Sequence, residues 1–257
     1  MDWRAWWRGF AGSLGALALA PGAVHAEPIR NIVLVHGAWL DGSGWRPVYD
    51  ILARDGYHVA IVQQPLTGVS DDVAATRRII DMQDGKCILV AHSYGGAIIT
   101  EAGADPHVVA LVYIAAHALD DGETETGNGK RFPAPGREAI VRTPDGLTYI
   151  DPARFPAEFA ADLPPDEATF EAQSQMLTAA DVFTTPAHDP AWRTKPSWYM
   201  VAAADHIISP DLERMYAARA RSHTVEIAGA SHSVYRSHPT EVAAMIEDAA
   251  LHAEDPR

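Results

Sequence analysis

The sequence predicts an α/β fold: a parallel, doubly wound sheet of about six strands carrying a small helical cap. Short apolar runs without polar alternation recur along the chain, which is typical of strands buried on both faces. Amphipathic segments of helical period lie between these runs. An alternation of strand and helix favours a parallel sheet whose connections are right-handed crossovers.

The predicted strands follow one another at intervals that leave room for helices. They are residues 31–36, 58–62, 86–91, 108–115, 198–203 and 224–228. The predicted helices are residues 45–54, 71–82, 94–104, 210–220 and 239–252. The first helix places Val48, Ile51 and Leu52 on one face, and the second begins with Asp71 and Asp72, which a helix N-terminus favours.

One segment interrupts the alternation, and it separates two predicted parts of the core, residues 27–118 and 197–257. Residues 120–131 are polar and glycine-rich, which predicts a mobile loop. The rest of the segment has prolines between short amphipathic pieces. Because long structureless loops are uncommon in compact domains, residues 119–196 are predicted to form a helical cap. Its expected inner face comprises Phe155, Phe159, Phe170, Met176 and Phe183.

The composition limits the possible functions. A chain of 257 residues that is 47% hydrophobic can bury a large core. Its net charge of −14 argues against binding nucleic acid and against a polybasic membrane-surface role. Cys87 is the single cysteine and lies in an apolar run, so we expect a buried structural thiol and no internal disulfide.

The first 26 residues have the pattern of a secretory signal peptide. Arg4 and Arg8 precede an apolar stretch that is too short to span a bilayer comfortably, and Val24 and Ala26 suit a cleavage site. We therefore expect cleavage near Ala26, export to the periplasm or the medium, and no stable membrane insertion afterwards. The alternatives are an uncleaved anchor or a misassigned start.

Ser93 is the candidate nucleophile. It follows a predicted strand and precedes a predicted helix in the segment Ala91-His92-Ser93-Tyr94-Gly95-Gly96. A sharp strand-to-helix turn lifts a serine above the sheet, and small neighbours let the two backbones approach. Ala91 stands where the Gly-x-Ser-x-Gly pattern has its first glycine, which adds only a methyl group.

The loop after the first strand is the candidate for half of an oxyanion hole. Such a hole combines an N–H of this loop with the N–H of the residue after the serine, here Ala38 and Tyr94. His36 is expected to brace the loop through hydrogen bonds; action as a base is the alternative.

Asp205 and His232 follow the last two predicted strands and are the candidate acid and base. The chain order Ser93, Asp205, His232 matches the nucleophile, acid and base order of one class of serine hydrolases. The carboxyl ends of parallel strands meet at one edge of a sheet, so these residues can converge there.

Other residues could fill these roles. The alternatives are His238 or His206 as the base, and Asp211, Asp120 or Asp121 as the acid. His238 and Asp211 are each expected at the start of a helix, on the surface. The spacing of the 12 histidines contains no His-Glu-x-x-His pattern, so no metal is predicted.

Four segments together carry a resemblance to a known family. They are His36-Gly37-Ala38-Trp39, the segment around Ser93, Asp205, and Gly229-Ala230-Ser231-His232. Over about residues 30–250 the chain resembles bacterial serine esterases of the α/β-hydrolase fold, in a subgroup related to plant methylesterases and hydroxynitrile lyases. The resemblance implies hydrolysis of carboxylic esters through an acyl-serine intermediate, without a cofactor. It also implies that two strands of the larger family sheet are missing.

Departures from related families narrow the chemistry. Dehalogenases and epoxide hydrolases of this fold use an aspartate where Ser93 stands, and plant hydroxynitrile lyases have a lysine where Ser233 stands. A small or medium apolar ester is the expected substrate, with Trp39 and Met176 as candidate binding residues. Carbon–carbon bond hydrolysis, perhydrolysis and acyl transfer use the same triad and remain open. A ligand-binding protein with slow turnover is the alternative outside catalysis.

Overall fold

The computed structural model describes residues 28–254, so the predicted signal peptide lies outside the described residues. The strands are β1 (Asn31–Val35), β2 (His58–Val62), β3 (Cys87–Ser93), β4 (Val108–Ala116), β5 (Ile140–Arg142), β6 (Leu147–Ile150), β7 (Thr178–Ala179), β8 (Ser197–Ala202) and β9 (His223–Ile227). Six of them form a parallel sheet in the order β2-β1-β3-β4-β8-β9. The predicted six-stranded α/β fold is confirmed.

The helices cover both faces of this sheet. They are α1 (Arg46–Arg54), α2 (Val69–Asp81), α3 (Gly95–Ala102), α4 (Glu125–Arg131), α5 (Phe155–Glu158), α6 (Pro165–Gln173), α7 (Pro210–Ala220), α8 (Val234–Ser237) and α9 (Pro239–His252). Helices α1 and α9 pack against each other, α2 packs against α3, and α7 packs against β8. No helix within residues 28–254 has the length and apolar character needed to cross a membrane.

Burial follows the position of each strand in the sheet. All residues of β1 and β3 are buried, since both strands lie inside the sheet. Cys87 is buried at the start of β3, and this burial raises the pKa of its thiol to about 12. The expectation of burial on both faces is wrong for β9, where four of five residues are exposed because the strand lies at the sheet edge.

The strand order creates a crevice beside β1. The chain runs from β1 outward to β2 and then returns to β3 on the other side of β1. The connections that leave β1 and β3 therefore diverge at their carboxyl ends. Ligands of open α/β sheets bind at such a switch point. Here it brings Ser93, the last residue of β3, next to the loop that follows β1.

The cap contains helices α4 to α6 together with a small antiparallel sheet in the order β5-β6-β7. Two of these strands have only three and two residues, too few for a periodic pattern to reveal them in the sequence. Phe155 and Phe159 are buried as expected of an inner face. Phe170 is 71% exposed, so its predicted place on the inner face is wrong.

The prediction of a loop over residues 120–131 is also wrong, because α4 occupies its second half. The Thr124 side chain accepts a hydrogen bond from the Gly127 N–H and so caps the helix. The Asn128 side chain donates to Glu123 and to the Tyr216 hydroxyl. Tertiary hydrogen bonds of this kind stabilise a short helix that contains two glycines despite their low helix propensity.

Candidate active site

Ser93 occupies a strained turn between β3 and α3. Its φ angle is 55°, in the left-handed region that few residues other than glycine adopt. Strain of this kind is typical of the turn that presents a nucleophilic serine at the top of an α/β sheet. The residue is only 4% exposed, so its hydroxyl lies within the protein.

The backbones around this turn are packed without room for side chains. A Cβ on Gly37 would lie 2.8 Å from the Ser93 Cβ, and a Cβ on Gly95 would lie 2.6 Å from the His36 carbonyl oxygen. A Cβ on Gly96 would lie 2.5 Å from the His117 carbonyl oxygen. The small residues around the serine therefore let β1, β3 and the end of β4 meet at one point.

We expect Gly96→Ala to destabilise the fold. The added Cβ meets backbone atoms of His117, which cannot move without displacing the end of β4. Overpacking of this kind costs about 1–3 kcal/mol of unfolding free energy, which urea denaturation measures. Gly85→Ala is the matched control, because its Cβ would have no neighbour within 4 Å. Equal urea midpoints for the two variants would contradict the steric explanation.

Three predicted site residues form one hydrogen-bonded chain. The Ser93 Oγ lies 2.8 Å from His232 Nε2, and His232 Nδ1 lies 2.5 Å from Asp205 Oδ2. They come from the ends of β3, β9 and β8, which meet at the carboxyl edge of the sheet. His232 is fully buried and Asp205 is 2% exposed, so solvent does not compete for these hydrogen bonds.

The second carboxylate oxygen of Asp205 is held by the backbone. Oδ1 accepts hydrogen bonds from the Ile207 N–H at 2.6 Å and from the Ile208 N–H at 2.9 Å. These hydrogen bonds fix the plane of the carboxylate, so Oδ2 faces His232.

Two candidate oxyanion donors flank Ser93. Ala38 lies in the loop after β1, and Tyr94 directly follows the serine. Within residues 28–254 neither backbone N–H donates a hydrogen bond to a protein acceptor. His36 braces the loop: its Nε2 accepts from the Gln64 N–H at 3.0 Å, and its Nδ1 lies 2.9 Å from the Gly37 carbonyl oxygen. Burial lowers the pKa of His36. A lowered pKa favours the neutral ring, whose Nε2 can accept the hydrogen bond from Gln64.

A second histidine fixes the backbone of His232. His92 is fully buried, and its Nε2 lies 2.8 Å from the His232 carbonyl oxygen. Burial keeps the pKa of His92 well below its usual value, so a neutral ring donates this hydrogen bond. The sequence alone did not indicate this role, although His92 directly precedes the serine.

The cap is tied to the loop that carries His232. The Asp162 carboxylate accepts hydrogen bonds from the Ser231 N–H at 3.1 Å and from the Ser237 hydroxyl at 2.7 Å. The Phe159 carbonyl oxygen accepts from the Ser233 N–H at 3.1 Å. The residues on both sides of His232 are therefore held by the cap.

The cap is also tied to the loop that carries Ala38. The Trp39 N–H donates to the Thr178 hydroxyl, and its indole N–H donates to the Thr148 hydroxyl, each at 3.0 Å. The Met176 N–H donates to the Trp39 carbonyl oxygen at 3.0 Å. Both candidate substrate-binding residues thus lie at the seam between core and cap.

Aromatic side chains line the region between this seam and His232. The Phe159 ring packs edge-on against His232 at 4.6 Å and lies 6.5 Å from the Trp39 ring. Phe183 lies 5.3 Å from Trp39 and 6.2 Å from Tyr94. The Met176 side chain packs against the same core. The surroundings of the serine are therefore largely apolar.

The alternative acids and bases have other partners. They are His206, His238, Asp211, Asp120 and Asp121. His206 pairs with Glu158, His238 contacts the Ser237 hydroxyl, and Asp211 pairs with Arg214. Asp120 pairs with Arg193, and Asp121 lies near His188. Among the described residues none of the five is hydrogen-bonded to Ser93 or His232.

A buried acid–histidine pair near the site has no counterpart in the sequence predictions. Glu125 is 3% exposed, and its Oε2 lies 3.3 Å from His117 Nε2. The His117 N–H in turn donates to the Ser93 carbonyl oxygen at 3.1 Å. Burial raises the pKa of Glu125 to about 8 and keeps that of His117 well below its usual value. At neutral pH the pair is a protonated carboxyl beside a neutral imidazole.

We expect Glu125→Gln to change how stability depends on pH. In the folded state the carboxyl holds its proton up to about pH 8, against 4.5 as its ordinary value. The folded protein thus binds one more proton than the unfolded chain between pH 4.5 and about pH 8. The contribution of this proton to stability is fully present below pH 4.5 and is lost as pH rises through about 8. A shift of this size corresponds to roughly 5 kcal/mol at most.

Chemical denaturation at pH 5 and pH 8 tests this expectation. The wild type should lose stability relative to Glu125→Gln between the two values, because glutamine does not ionise. Glu138→Gln, at an exposed position nearby, is the control. The same pH dependence in all three proteins would show that Glu125 does not titrate as described.

No group of three or more histidine, cysteine, aspartate or glutamate residues in the described part of the chain is arranged to hold a metal ion.

A family model described as the alpha/beta hydrolase family matches residues 32–245. No curated protein sequence matches the chain significantly. Solved structures do match, and the three described next share less than 25% of their residues with this chain, so their likeness concerns the fold.

Three of these structures illustrate the likeness. A pyrethroid hydrolase from Sphingobium faniae JZ-2 is 22% identical, with a TM-score of 0.71, over 88% of this chain and 98% of its own. Polyneuridine aldehyde esterase is 17% identical, with a TM-score of 0.71, over 85% and 98%. A methylesterase from Arabidopsis is 18% identical, with a TM-score of 0.68, over 85% and 98%.

These findings confirm the predicted resemblance to α/β hydrolases of the esterase type, plant methylesterases included. The family model spans most of the chain, and this chain covers 98% of each of the three structures. The chain therefore belongs to the alpha/beta hydrolase family.

Proposed function

We propose that the protein is a serine hydrolase that cleaves carboxylic esters of small or medium apolar substrates through an acyl-serine intermediate. The observation that carries this proposal is the chain of hydrogen bonds from Ser93 through His232 to Asp205. Beside it lie the Ala38 and Tyr94 backbone N–H groups, which have no protein acceptor within residues 28–254. Esterases among the structurally similar proteins support it.

In this proposal each triad member has one role. An ionised Asp205 can only accept a hydrogen bond, so the proton of the His232 ring lies on Nδ1. Nε2 is then free to accept the Ser93 proton as Oγ attacks the ester carbonyl carbon. The carbonyl oxygen becomes an oxyanion, which the Ala38 and Tyr94 amides bind.

The remaining steps release the alcohol and the acid and return His232 and Ser93 to their starting protonation states. The tetrahedral intermediate collapses, and the leaving alkoxide takes the proton from His232 Nε2 and departs as an alcohol. Water attacks the acyl-serine and gives a proton to His232. The second intermediate then releases the carboxylic acid as Ser93 recovers its proton.

The aromatic lining supports an apolar acyl or alcohol group. Phe159, Trp39 and Phe183 surround the region beside His232. The two phenylalanines have no hydrogen-bonding group, and the Trp39 indole N–H already donates to the Thr148 hydroxyl. In this proposal Trp39 and Met176 contribute to the substrate pocket at the seam of core and cap.

Hydrolysis of p-nitrophenyl esters with acyl chains from C2 to C12 tests the proposal. Activity that requires Ser93 supports it, and the preferred chain length measures the acyl pocket. Failure to hydrolyse any ester, with thermal stabilisation by ligands, would contradict it and favour the ligand-binding alternative.

We also propose that residues 1–26 direct export and are removed. N-terminal sequencing of the mature protein should begin near Glu27. A mature chain that retains Met1 would contradict this proposal.

A further inference from the structure

A second buried carboxyl group lies behind the triad acid. Glu213 is in the first turn of α7, a few residues after Asp205, and it is completely buried. Its Oε2 accepts a hydrogen bond from the Ala202 N–H at 3.0 Å. The Asp205 N–H donates to the carbonyl oxygen of the same Ala202 at 3.1 Å. The end of β8 thus holds both acidic residues.

The Glu213 carboxyl group interacts with that of Asp205. Besides burial, the charge of Asp205 and a side-chain contact with it raise the pKa of Glu213. Its Oε1 nevertheless finds no donor among the described residues. Two ionised carboxylates can only accept, so this contact becomes a hydrogen bond only when one of them carries a proton.

The surroundings decide which group carries the proton. Asp205 accepts hydrogen bonds from two backbone N–H groups through Oδ1 and faces His232 through Oδ2. Among the described residues Glu213 has one backbone donor, the Ala202 N–H, and no salt-bridge partner. Burial and the neighbouring Asp205 charge raise the pKa of Glu213 well above its usual range.

Other titratable groups near Glu213 do not neutralise it. Tyr199, on β8, donates its hydroxyl proton to the Ala116 carbonyl oxygen. The Arg214 guanidinium is partly exposed and forms hydrogen bonds with Asp211 and Glu226. Like charges held together in a buried site cannot both ionise, as in pairs of acidic residues that share one proton.

We propose that Glu213 is held as a neutral carboxylic acid whose Oε1–H donates to Asp205, and that it thereby positions the triad acid. Glu213 touches neither the substrate nor the reacting atoms, so it is a positioning residue. The catalytic consequence rests on the proposed function. The protonation and the hydrogen bond do not.

Two substitutions separate the hydrogen bond from the volume it occupies. Glu213→Gln keeps a donor toward Asp205 and an acceptor for the Ala202 N–H, so we expect kcat within about threefold of the wild type. Glu213→Met fills a similar volume without either group. We expect it to lower kcat by about 10–100-fold, as loss of a residue that orients a ligating or catalytic side chain does. Glu241→Gln, at an exposed site on α9, is the control.

Infrared spectroscopy at neutral pH tests the proton directly. The wild-type minus Glu213→Gln difference spectrum should contain the carbonyl stretch of a protonated carboxylic acid. This measurement requires neither catalytic activity nor a folded Glu213→Met variant. A carboxylate band in its place would overturn the proposal. So would a Glu213→Gln variant as impaired as Glu213→Met, or a folded Glu213→Met variant with full kcat. If the proposed function were wrong, the result would be different: ester hydrolysis would survive replacement of Ser93.

Discussion

Ser93→Ala is expected to lower kcat for ester hydrolysis by about 10⁴–10⁶-fold, to the level that the oxyanion donors alone support. The alanine lacks the hydroxyl oxygen that lies 2.8 Å from His232 Nε2, so no acyl-enzyme can form. The Ala38 and Tyr94 amides remain, so substrate binding should change little. A stopped assay with p-nitrophenyl butyrate, together with mass spectrometry of the acylated wild type, measures both effects.

Ser70→Ala is the matched control, since Ser70 is an exposed serine on α2. Its kcat should equal that of the wild type. If Ser93→Ala kept more than about a tenth of the activity, a different nucleophile would have to be sought. A value far below wild type with an unchanged unfolding midpoint would exclude misfolding as the cause.

Asp205→Asn is expected to lower kcat by about 10⁴-fold while the fold is kept. The Ile207 and Ile208 N–H groups require an acceptor at Oδ1, so the asparagine oxygen takes that place and its NH₂ faces His232. A donor there makes Nδ1 the acceptor and moves the ring proton to Nε2. The ring can then no longer accept the Ser93 proton.

Steady-state kinetics across pH 6–9 measures this effect, and Asp211→Asn serves as the control. Asp211 is an exposed aspartate on α7 that pairs with Arg214 at the surface. A wild-type rate for Asp205→Asn would contradict the assigned tautomer of His232. A rate that recovers fully at high pH would also do so, since the amide does not ionise.

The sheet and the triad could be predicted because their signals are local and strong. Buried parallel strands appear in the sequence as apolar runs, and each of Ser93, Asp205 and His232 follows such a run. The order of the three along the chain then indicated which residue is the nucleophile, which the acid and which the base. Convergence at one sheet edge is a consequence of parallel topology and needs no further information.

The groups that support the triad could not be predicted. Glu213 has the sequence context of an ordinary acid in the first turn of a helix, where the dipole favours it, and only the packing of α7 on β8 buries it. Glu125 lies in a segment with two glycines and no apolar periodicity. Burial is a tertiary property, so neither raised pKa could be inferred from neighbours in the chain.

The hydrogen bonds between cap and core have a consequence for the order in which parts of the protein open. Asp162 and Phe159 hold the loop around His232, while Thr148 and Thr178 hold Trp39 beside the oxyanion loop. Local opening of the cap would therefore release both loops at once. In native-state hydrogen exchange, the amides of Ser231 and Ser233 should lose protection together with those of the cap strands, as one cooperative unit. Catalytic activity would then depend on whether the cap is folded, although no triad residue belongs to the cap.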